Sequence, residues 1–303
     1  MIITICNLIF FYIVIWNKLY IYYKKGMIID GKKIAAKKYD HIKMSVETST
    51  FLVTLGVILV WENAASLRYI KQKEKWAEFT GIKFVIKKLP KEISERRLLE
   101  EIEKMNKDDS INGFIVQMPL PRHISATKVT LAIAPEKDVD GFHPINVGKI
   151  LIGDNSGFAS CTPAGVMEIF KHENIELTGK NVCIVGASNI VGKPMSALLM
   201  NAWATVTVCN SRTMNLKLHT SKSDIVIMAA GVPGLLKVDM IHVGTTVIDV
   251  WFTVIDGKIH GDADFGTIEM VGNRITPVPG WVGVMTVAML MENTFKAAKQ
   301  QNS

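Results

Sequence analysis

Two side chains of one short segment could exchange a proton with a bound ligand. The run Ser66-Leu67-Arg68-Tyr69-Ile70-Lys71-Gln72-Lys73 has helical character, and Tyr69 and Lys73, four apart, share a face of that helix. A lysine becomes a useful acid or base only when its surroundings pull its pKa toward neutrality. Taken alone, such a pair is more often surface decoration than catalysis. The strand-like run Phe114–Gln117 enters Met118-Pro119-Leu120-Pro121 and so places the Gln117 amide at the carboxyl edge of a sheet, where ligands of α/β folds sit. Lys137-Asp138-Val139-Asp140-Gly141-Phe142-His143-Pro144 and Thr276-Pro277-Val278-Pro279-Gly280 are two further polar turns, each also compatible with a plain loop.

A second kind of chemistry is suggested by Val182–Val185, a buried strand that runs through Gly186-Ala187-Ser188-Asn189-Ile190-Val191-Gly192 into a helix. A glycine at the strand end admits a pyrophosphate close to the backbone, and the helix start supplies free N–H groups and a positive dipole end. The spacing is not G-x-G-x-x-G, so an ordinary strand-to-helix turn remains the alternative. The following strand ends Val208-Cys209-Asn210-Ser211-Arg212-Thr213 without an acid. An acid there would bind the ribose 2′-hydroxyl of NAD and repel a 2′-phosphate, so Ser211 and Arg212 favour NADP. The alternative is a solvated loop cation.

The elements that must position these groups alternate in period. Strand-like runs fall at Leu55–Val60, Lys83–Ile86, Gly113–Gln117, Asn181–Val185, Ala204–Cys209, Asp224–Ala229 and Thr245–Val250. Helix-like runs fall at Lys32–Glu47, Ala64–Thr80, Ser94–Asn106, Pro163–His172, Gly192–Asn201 and Val284–Lys299. The pattern predicts an α/β protein of two domains with parallel sheets, the second Rossmann-like, separated by a turn-rich hinge with loops at Pro135–Pro163.

Composition excludes several classes. The net charge of +7 includes Lys18, Lys24 and Lys25, leaving +4 for the rest of the chain, too little for a nucleic-acid footprint. Cys6, Cys161, Cys183 and Cys209 show no C-x-x-C spacing, which argues against a zinc site or disulfide framework and for a reduced, cytoplasmic setting. Residues 2–16 are almost all apolar but fall short of the roughly 20 a membrane span needs, and Asn7 interrupts them. Their Ile, Tyr, Phe, Asn and Lys content reflects AU-rich codons. The reading adopted is that translation starts at Met27, with a membrane anchor as the alternative; N-terminal mass spectrometry decides between them.

The set Y-x-x-x-K, V-Q-x-P-L-P, K-D-V-D-G-F-H-P, C-T-P, G-A-S-N-I-V-G-x-P and T-P-V-P-G occurs here in one order across residues 27–298. It resembles the bifunctional methylenetetrahydrofolate dehydrogenase/methenyltetrahydrofolate cyclohydrolase family. The resemblance implies a folate-binding catalytic domain of 27–159 plus 282–303 and a Rossmann-like NADP-binding domain of 160–281. Folate and NADP would face each other across a cleft in a cytoplasmic homodimer. It implies NADP-dependent oxidation of 5,10-methylenetetrahydrofolate, then hydrolysis of the methenyl product to 10-formyltetrahydrofolate, in one-carbon metabolism and purine biosynthesis. Lys73 would be the central acid/base of the hydrolysis, Gln117 would hold and tune it, Tyr69 would pack along the folate, and Asp140 would bond the pterin. Val116, Pro279, Gly280 and Gly283 would complete the folate wall. Gly186, Ala187, Ser188, Ser211, Arg212 and Phe252 would contact NADP. No metal, nucleic acid or membrane partner is implied, unless residues 1–26 are translated.

The chain departs from the family pattern at tryptophans. Trp61, Trp251 and Trp281 stand where the pattern has glycine, and Trp203 replaces a small or polar residue. At a glycine of positive φ a bulky side chain costs about 1–2 kcal/mol in strain, with crowding adding roughly 1–3 kcal/mol, against a typical stability of about 5–15 kcal/mol. One reading is a diverged, inactive homologue, or a folate- or dinucleotide-binding relic whose cleft is plugged by indoles. The favoured one is UGA codons that the organism decodes as glycine, GGA being one base away; UGG at 61, 251 and 281 would remove it. Val284 in place of proline has no such explanation. A dehydrogenase without cyclohydrolase activity conflicts with the retained Lys73 and Gln117, and an unrelated NADP reductase would make the folate-side motifs coincidental.

Overall fold

In the computed structural model, residues 28–303 are described apart from 63, 272 and 279–281. The expected start at Met27, the extension 1–26, and Pro279, Gly280 and Trp281 lie outside the described residues. Among the described residues no helix is long and apolar enough to cross a membrane.

In chain order the elements begin α1 (Gly31–Glu47), β1 (Thr54–Val60), α2 (Ala64–Thr80), β2 (Lys83–Leu89), α3 (Glu95–Asn106), β3 (Gly113–Val116), α4 (Ala126–Ala132), α5 (Pro144–Leu151) and α6 (Cys161–His172). They continue β4 (Asn181–Val185), α7 (Gly192–Asn201), β5 (Thr205–Cys209), α8 (Leu216–Thr220), β6 (Ile225–Met228), β7 (Thr246–Asp249), β8 (Phe252–Ile255), β9 (Lys258–Gly261), α9 (Phe265–Met270), β10 (Arg274–Ile275) and α10 (Val282–Gln301). By contact the chain forms two compact units. The described parts of one are 31–179 apart from 63, 187–206 and 282–303, and of the other 28–30, 180–186 and 207–278 apart from 272.

In the first unit β1 lies between β2 and β3, parallel to both. All seven residues of Thr-Leu-Gly-Val-Ile-Leu-Val are buried, as a central strand covered on both faces requires. Helix α2 buries Ser66, Ile70, Ala77 and Thr80. Lys73 falls on the same stripe, three residues past Ile70 and four before Ala77, so helical period alone turns its ammonium inward. Helix α10 buries Met285, Ala288, Leu290 and Met291 and packs against α6 and α1.

In the second unit the strand order is β10-β7-β6-β4-β5, with the first three pairings parallel. The α/β class with parallel sheets is therefore as the sequence predicts. Two local expectations are corrected. Pro135–Pro163 is not only hinge and loops, since it holds helix α5, with Pro144 at its first turn and His143 Nδ1 accepting from the Ile145 N–H at 3.2 Å. The segment after Val250 forms an antiparallel hairpin, β8–β9, around Asp256-Gly257, whose φ angles of 50° and 73° suit a two-residue turn.

Among the described residues only Trp61, Asn174, Trp203 and Asp256 combine a side chain with positive φ, at 77°, 51°, 62° and 50°. Of the described tryptophans standing in place of glycine, Trp61 has a glycine-like backbone and Trp251 does not; Trp203, which replaces a small or polar residue, has one as well.

Candidate functional site

Strand β3 is paired with β1 up to Val116 opposite Ile58, and the next amide, Gln117 N–H, still donates to the Ile58 carbonyl at 2.9 Å. This holds the buried Gln117 side chain at the strand's carboxyl end, beside buried Val116. Gln117 Nε2 donates to the Met118 carbonyl at 2.7 Å, which leaves Oε1 to accept from Lys73 Nζ at 2.9 Å. The amide is thereby used at both ends, and the ammonium has a fixed neutral acceptor in place of a carboxylate. Burial pushes the Lys73 pKa below the usual lysine range, while the charges of Asp140 and, more weakly, Cys161 pull it back up. Tyr69, one turn earlier, is over a third exposed, and partial burial raises its phenol pKa against the pull of Arg68.

Asp140 reaches the same region because its turn is attached to the edge of β3. Phe114 N–H donates to the Lys137 carbonyl at 2.9 Å, and Phe114 bridges Asp138 in parallel fashion. Lys137 itself is buried and ends on the Met105 and Asp108 carbonyls at 3.2 and 2.8 Å, closing the C-terminus of α3. The Asp138 carboxylate accepts from His143 N–H at 2.8 Å and from Asn146 Nδ2 at 2.9 Å. Gly141, at φ +72°, lies so close to the Phe158–Ser160 backbone that a Cβ would sit 2.6 Å from its atoms. Only glycine fits there. Burial pushes the Asp140 carboxyl up to about 6, with Lys73 lowering it and Asp138 raising it. Cys161 Sγ contacts the Val139 carbonyl at 3.3 Å and lies 4.0 Å from Asp140 Oδ1.

Lys73, Gln117, Val116 and Asp140, predicted separately, thus gather within one unit. Gly283, in the first turn of α10, is exposed with open space where a Cβ would stand. Cys161, Lys137 and Asn293 belong to this site and were not assigned roles from sequence. For Cys161 the signal was the C-T-P triplet; Asn293 carried none.

In the other unit Gly186 ends β4 at φ +127°, and a Cβ there would collide with the Ala229 carbonyl. Asn210 N–H donates to Thr213 Oγ1 at 3.0 Å and Arg212 N–H to Asn210 Oδ1 at 2.8 Å, a turn that leaves Ser211 and Arg212 exposed. Phe252 opens β8 with its ring exposed. The Trp251 indole covers Gly231, where a Cβ would lie 3.3 Å from Nε1. The Gly231 N–H donates to Asp262 Oδ2 at 2.8 Å. Ala187 and Ser188 fall in the first unit, where the Ser188 hydroxyl accepts from Val191 N–H at 3.1 Å.

Two family models match the chain. Tetrahydrofolate dehydrogenase/cyclohydrolase, catalytic domain, matches residues 29–140, and its NAD(P)-binding domain matches 160–302. The bifunctional protein FolD of Nautilia profundicola is 48% identical over 276 residues, covering 90% of this chain and 97% of that one. The FolD of Aliarcobacter butzleri is 49% identical over 278 residues, covering 90% and 96%. The crystal structure of the bifunctional FolD methylenetetrahydrofolate dehydrogenase/cyclohydrolase from Campylobacter jejuni superposes with TM-score 0.88 at 46% identity, covering 90% and 98%. The Trypanosoma brucei enzyme, complexed with NADP cofactor and inhibitor, gives 0.84 at 33%, covering 90% and 97%. With both models spanning most of its length, the chain belongs to the tetrahydrofolate dehydrogenase/cyclohydrolase family.

Proposed function

We propose that this chain oxidises 5,10-methylenetetrahydrofolate to 5,10-methenyltetrahydrofolate with NADP, and hydrolyses the methenyl product to 10-formyltetrahydrofolate. The observation that carries the reading is the Lys73–Gln117 pair, an amine desolvated on the inward stripe of a helix and held by a neutral amide. Desolvation lowers its pKa from the usual lysine range, the direction that proton transfer to and from the water attacking the methenyl carbon requires. Gln117 fixes where the proton is exchanged, Asp140 bonds the pterin, and Tyr69 and Val116 lie along the folate.

The residues of the nucleotide unit fit NADP. At Gly186 backbone takes the place of a side chain, and the exposed Ser211 and Arg212 offer a hydroxyl and a guanidinium to a 2′-phosphate without a competing carboxylate at that strand end. Gly186, Ala187, Ser188, Ser211, Arg212 and Phe252 would hold the cofactor, which supplies the hydride acceptor. The folate-binding domain is taken as 27–159 plus 282–303 and the NADP domain as 160–281, in a cytoplasmic homodimer.

The purified protein is assayed for NADPH formed from methylenetetrahydrofolate and for decay of methenyltetrahydrofolate absorbance. Lys73→Met should abolish hydrolysis while the folded signal persists. Hydrolysis unchanged in that variant would end the mechanism, and absence of both activities in the parent protein would return the relic reading. The pH profile gives a second check. Asp140 titrates near 6, so it is ionised and able to accept from the pterin above that pH; KM for folate should rise as pH falls through about 6.

A further inference from the structure

The carboxylate that would meet the pterin stands on a loop, yet the groups holding that loop come from the far end of the chain. Asn293, on α10, is buried, and its single amide nitrogen lies 2.9 Å from the Val139 carbonyl, 3.0 Å from the Ala159 carbonyl and 3.7 Å from Cys161 Sγ. Val139 precedes Asp140, and Ala159 lies two residues before Cys161. Twenty residues separate the two carbonyls in sequence, and one –NH₂ group donates to both. Gly141 packs between the same two segments with no room for a side chain, so the loop has no slack in which to drift. Cys161 Sγ closes the arrangement against the Val139 carbonyl.

We propose that Asn293 is a positioning residue for folate chemistry: its amide clamps the Val139 and Ala159 carbonyls together and so fixes Asp140 in the site with Lys73. The inference rests on the function proposed above. An amide suits this task because two donors on one planar nitrogen can serve two carbonyls, whereas a carboxylate would oppose them and an apolar side chain would take the amide donor from Ala159 and leave Val139 with the weak Cys161 thiol. Asn293 touches no reacting atom. Its effect runs through Asp140, so it should appear chiefly in folate KM and in the acidic limb of the pH profile.

The test uses the full-length protein, with methenyltetrahydrofolate as substrate. Asn293→Leu keeps the volume and removes the donors; Asn293→Asp keeps the shape and reverses the hydrogen-bonding sense. Thr294→Val, which removes a buried hydroxyl that bonds only within α10 at the Leu290 carbonyl, controls for loss of stability alone. Both Asn293 variants should raise folate KM at least tenfold, with a smaller change in kcat, and shift the acidic limb near pH 6. Thr294→Val should do neither. If Asn293→Leu does not fold, Asn293→Ser, which retains one donor, is read by the same criteria and should fall between. KM and the acidic limb within twofold of the parent in the folded Asn293 variants would overturn the proposal while leaving the enzymatic reading intact; a parent protein inactive on folate would instead overturn that reading.

Discussion

Helices α2 and α7 end in the same backbone knot, made from very different residues. After α2, Gly81 N–H donates to the Glu78 carbonyl and Ile82 N–H reaches back to Ala77, with Gly81 at φ +75°. After α7, Trp203 N–H donates to Met200 and Ala204 N–H to Leu199, with Trp203 at φ 62°. Helices α5 and α6 repeat the pattern at Gly153 and Asn174. This double closure needs a left-handed residue just past the helix, which glycine adopts freely and asparagine tolerates. Three of the four ends obey that chemistry. The fourth carries an indole that is 79% exposed and gains little burial to offset its strain. The difference teaches that the backbone at 203 follows from the helix end, whereas its side chain follows from nothing around it. Trp76 shows the contrary case: inside α2, its ring stacks flat on the buried Tyr39 at 3.8 Å, and the Tyr39 hydroxyl donates to the Val284 carbonyl.

Exchanging the two ends should give the largest effect. Gly81→Trp places a Cβ 3.4 Å from Val46 Cγ1 at a positive φ. The Val46 contact is an ordinary one, so strain of about 1–2 kcal/mol should lower stability by about that much in a denaturant titration. The same helix carries Lys73, so methenyl hydrolysis should fall with it. A loss below about 0.5 kcal/mol would show that these helix ends accept any residue, and the comparison would have no force.

The converse, Trp203→Gly, should stabilise. Relief of about 1–2 kcal/mol of strain is partly offset by the greater freedom of glycine in the unfolded chain, roughly 0.5–1 kcal/mol. A net gain near 1 kcal/mol corresponds to a rise in Tm of about 2–4 °C. The gene and the native protein add an independent reading. UGA at codon 203, with an intact mass lighter by the tryptophan–glycine difference, would make glycine the residue the organism builds there; UGG would leave the strain as a property of the native chain.

Much of this was legible in advance because it depends on local rules. The exit of β3 into a Pro-Leu-Pro turn follows from punctuation and puts Gln117 at the sheet edge, whereas the partnership of Lys73 with Gln117 comes from the ordered set of motifs and the family they resemble, since Tyr69 and Lys73 alone read as surface decoration. Helix α5 escaped because its cap is His143, whose ring nitrogen does the work usually done by serine or aspartate. The β8–β9 hairpin carries a turn signal in Asp256-Gly257, but the flanking Thr-Val-Ile and Lys-Ile-His runs are too short and half polar to read as strands. The Asn293 clamp could not be read at all. It joins carbonyls of two loops to a side chain more than 130 residues away, and backbone carbonyls are the same in every sequence.

Trp61→Gly should give the smallest effect, and its sign depends on a contact that Trp203 lacks. Trp61 follows β1 at φ 77°, with its N–H on the Leu89 carbonyl at 3.2 Å, so glycine relieves the same strain of about 1–2 kcal/mol. The Lys91 ammonium, however, stands 4.6 Å above the indole, an exposed cation–π contact worth about 0.5–1 kcal/mol. Subtracting that, and the freedom glycine adds to the unfolded chain, leaves a change close to zero. Lys91→Ala should remove the contact first, after which Trp61→Gly in that background should stabilise by roughly the amount seen at 203. Equal gains at 61 in both backgrounds would mean that the ammonium contributes nothing. A loss in both would mean that the indole at 61 is held by more than Lys91, and the likeness between positions 61 and 203 would then stop at the backbone.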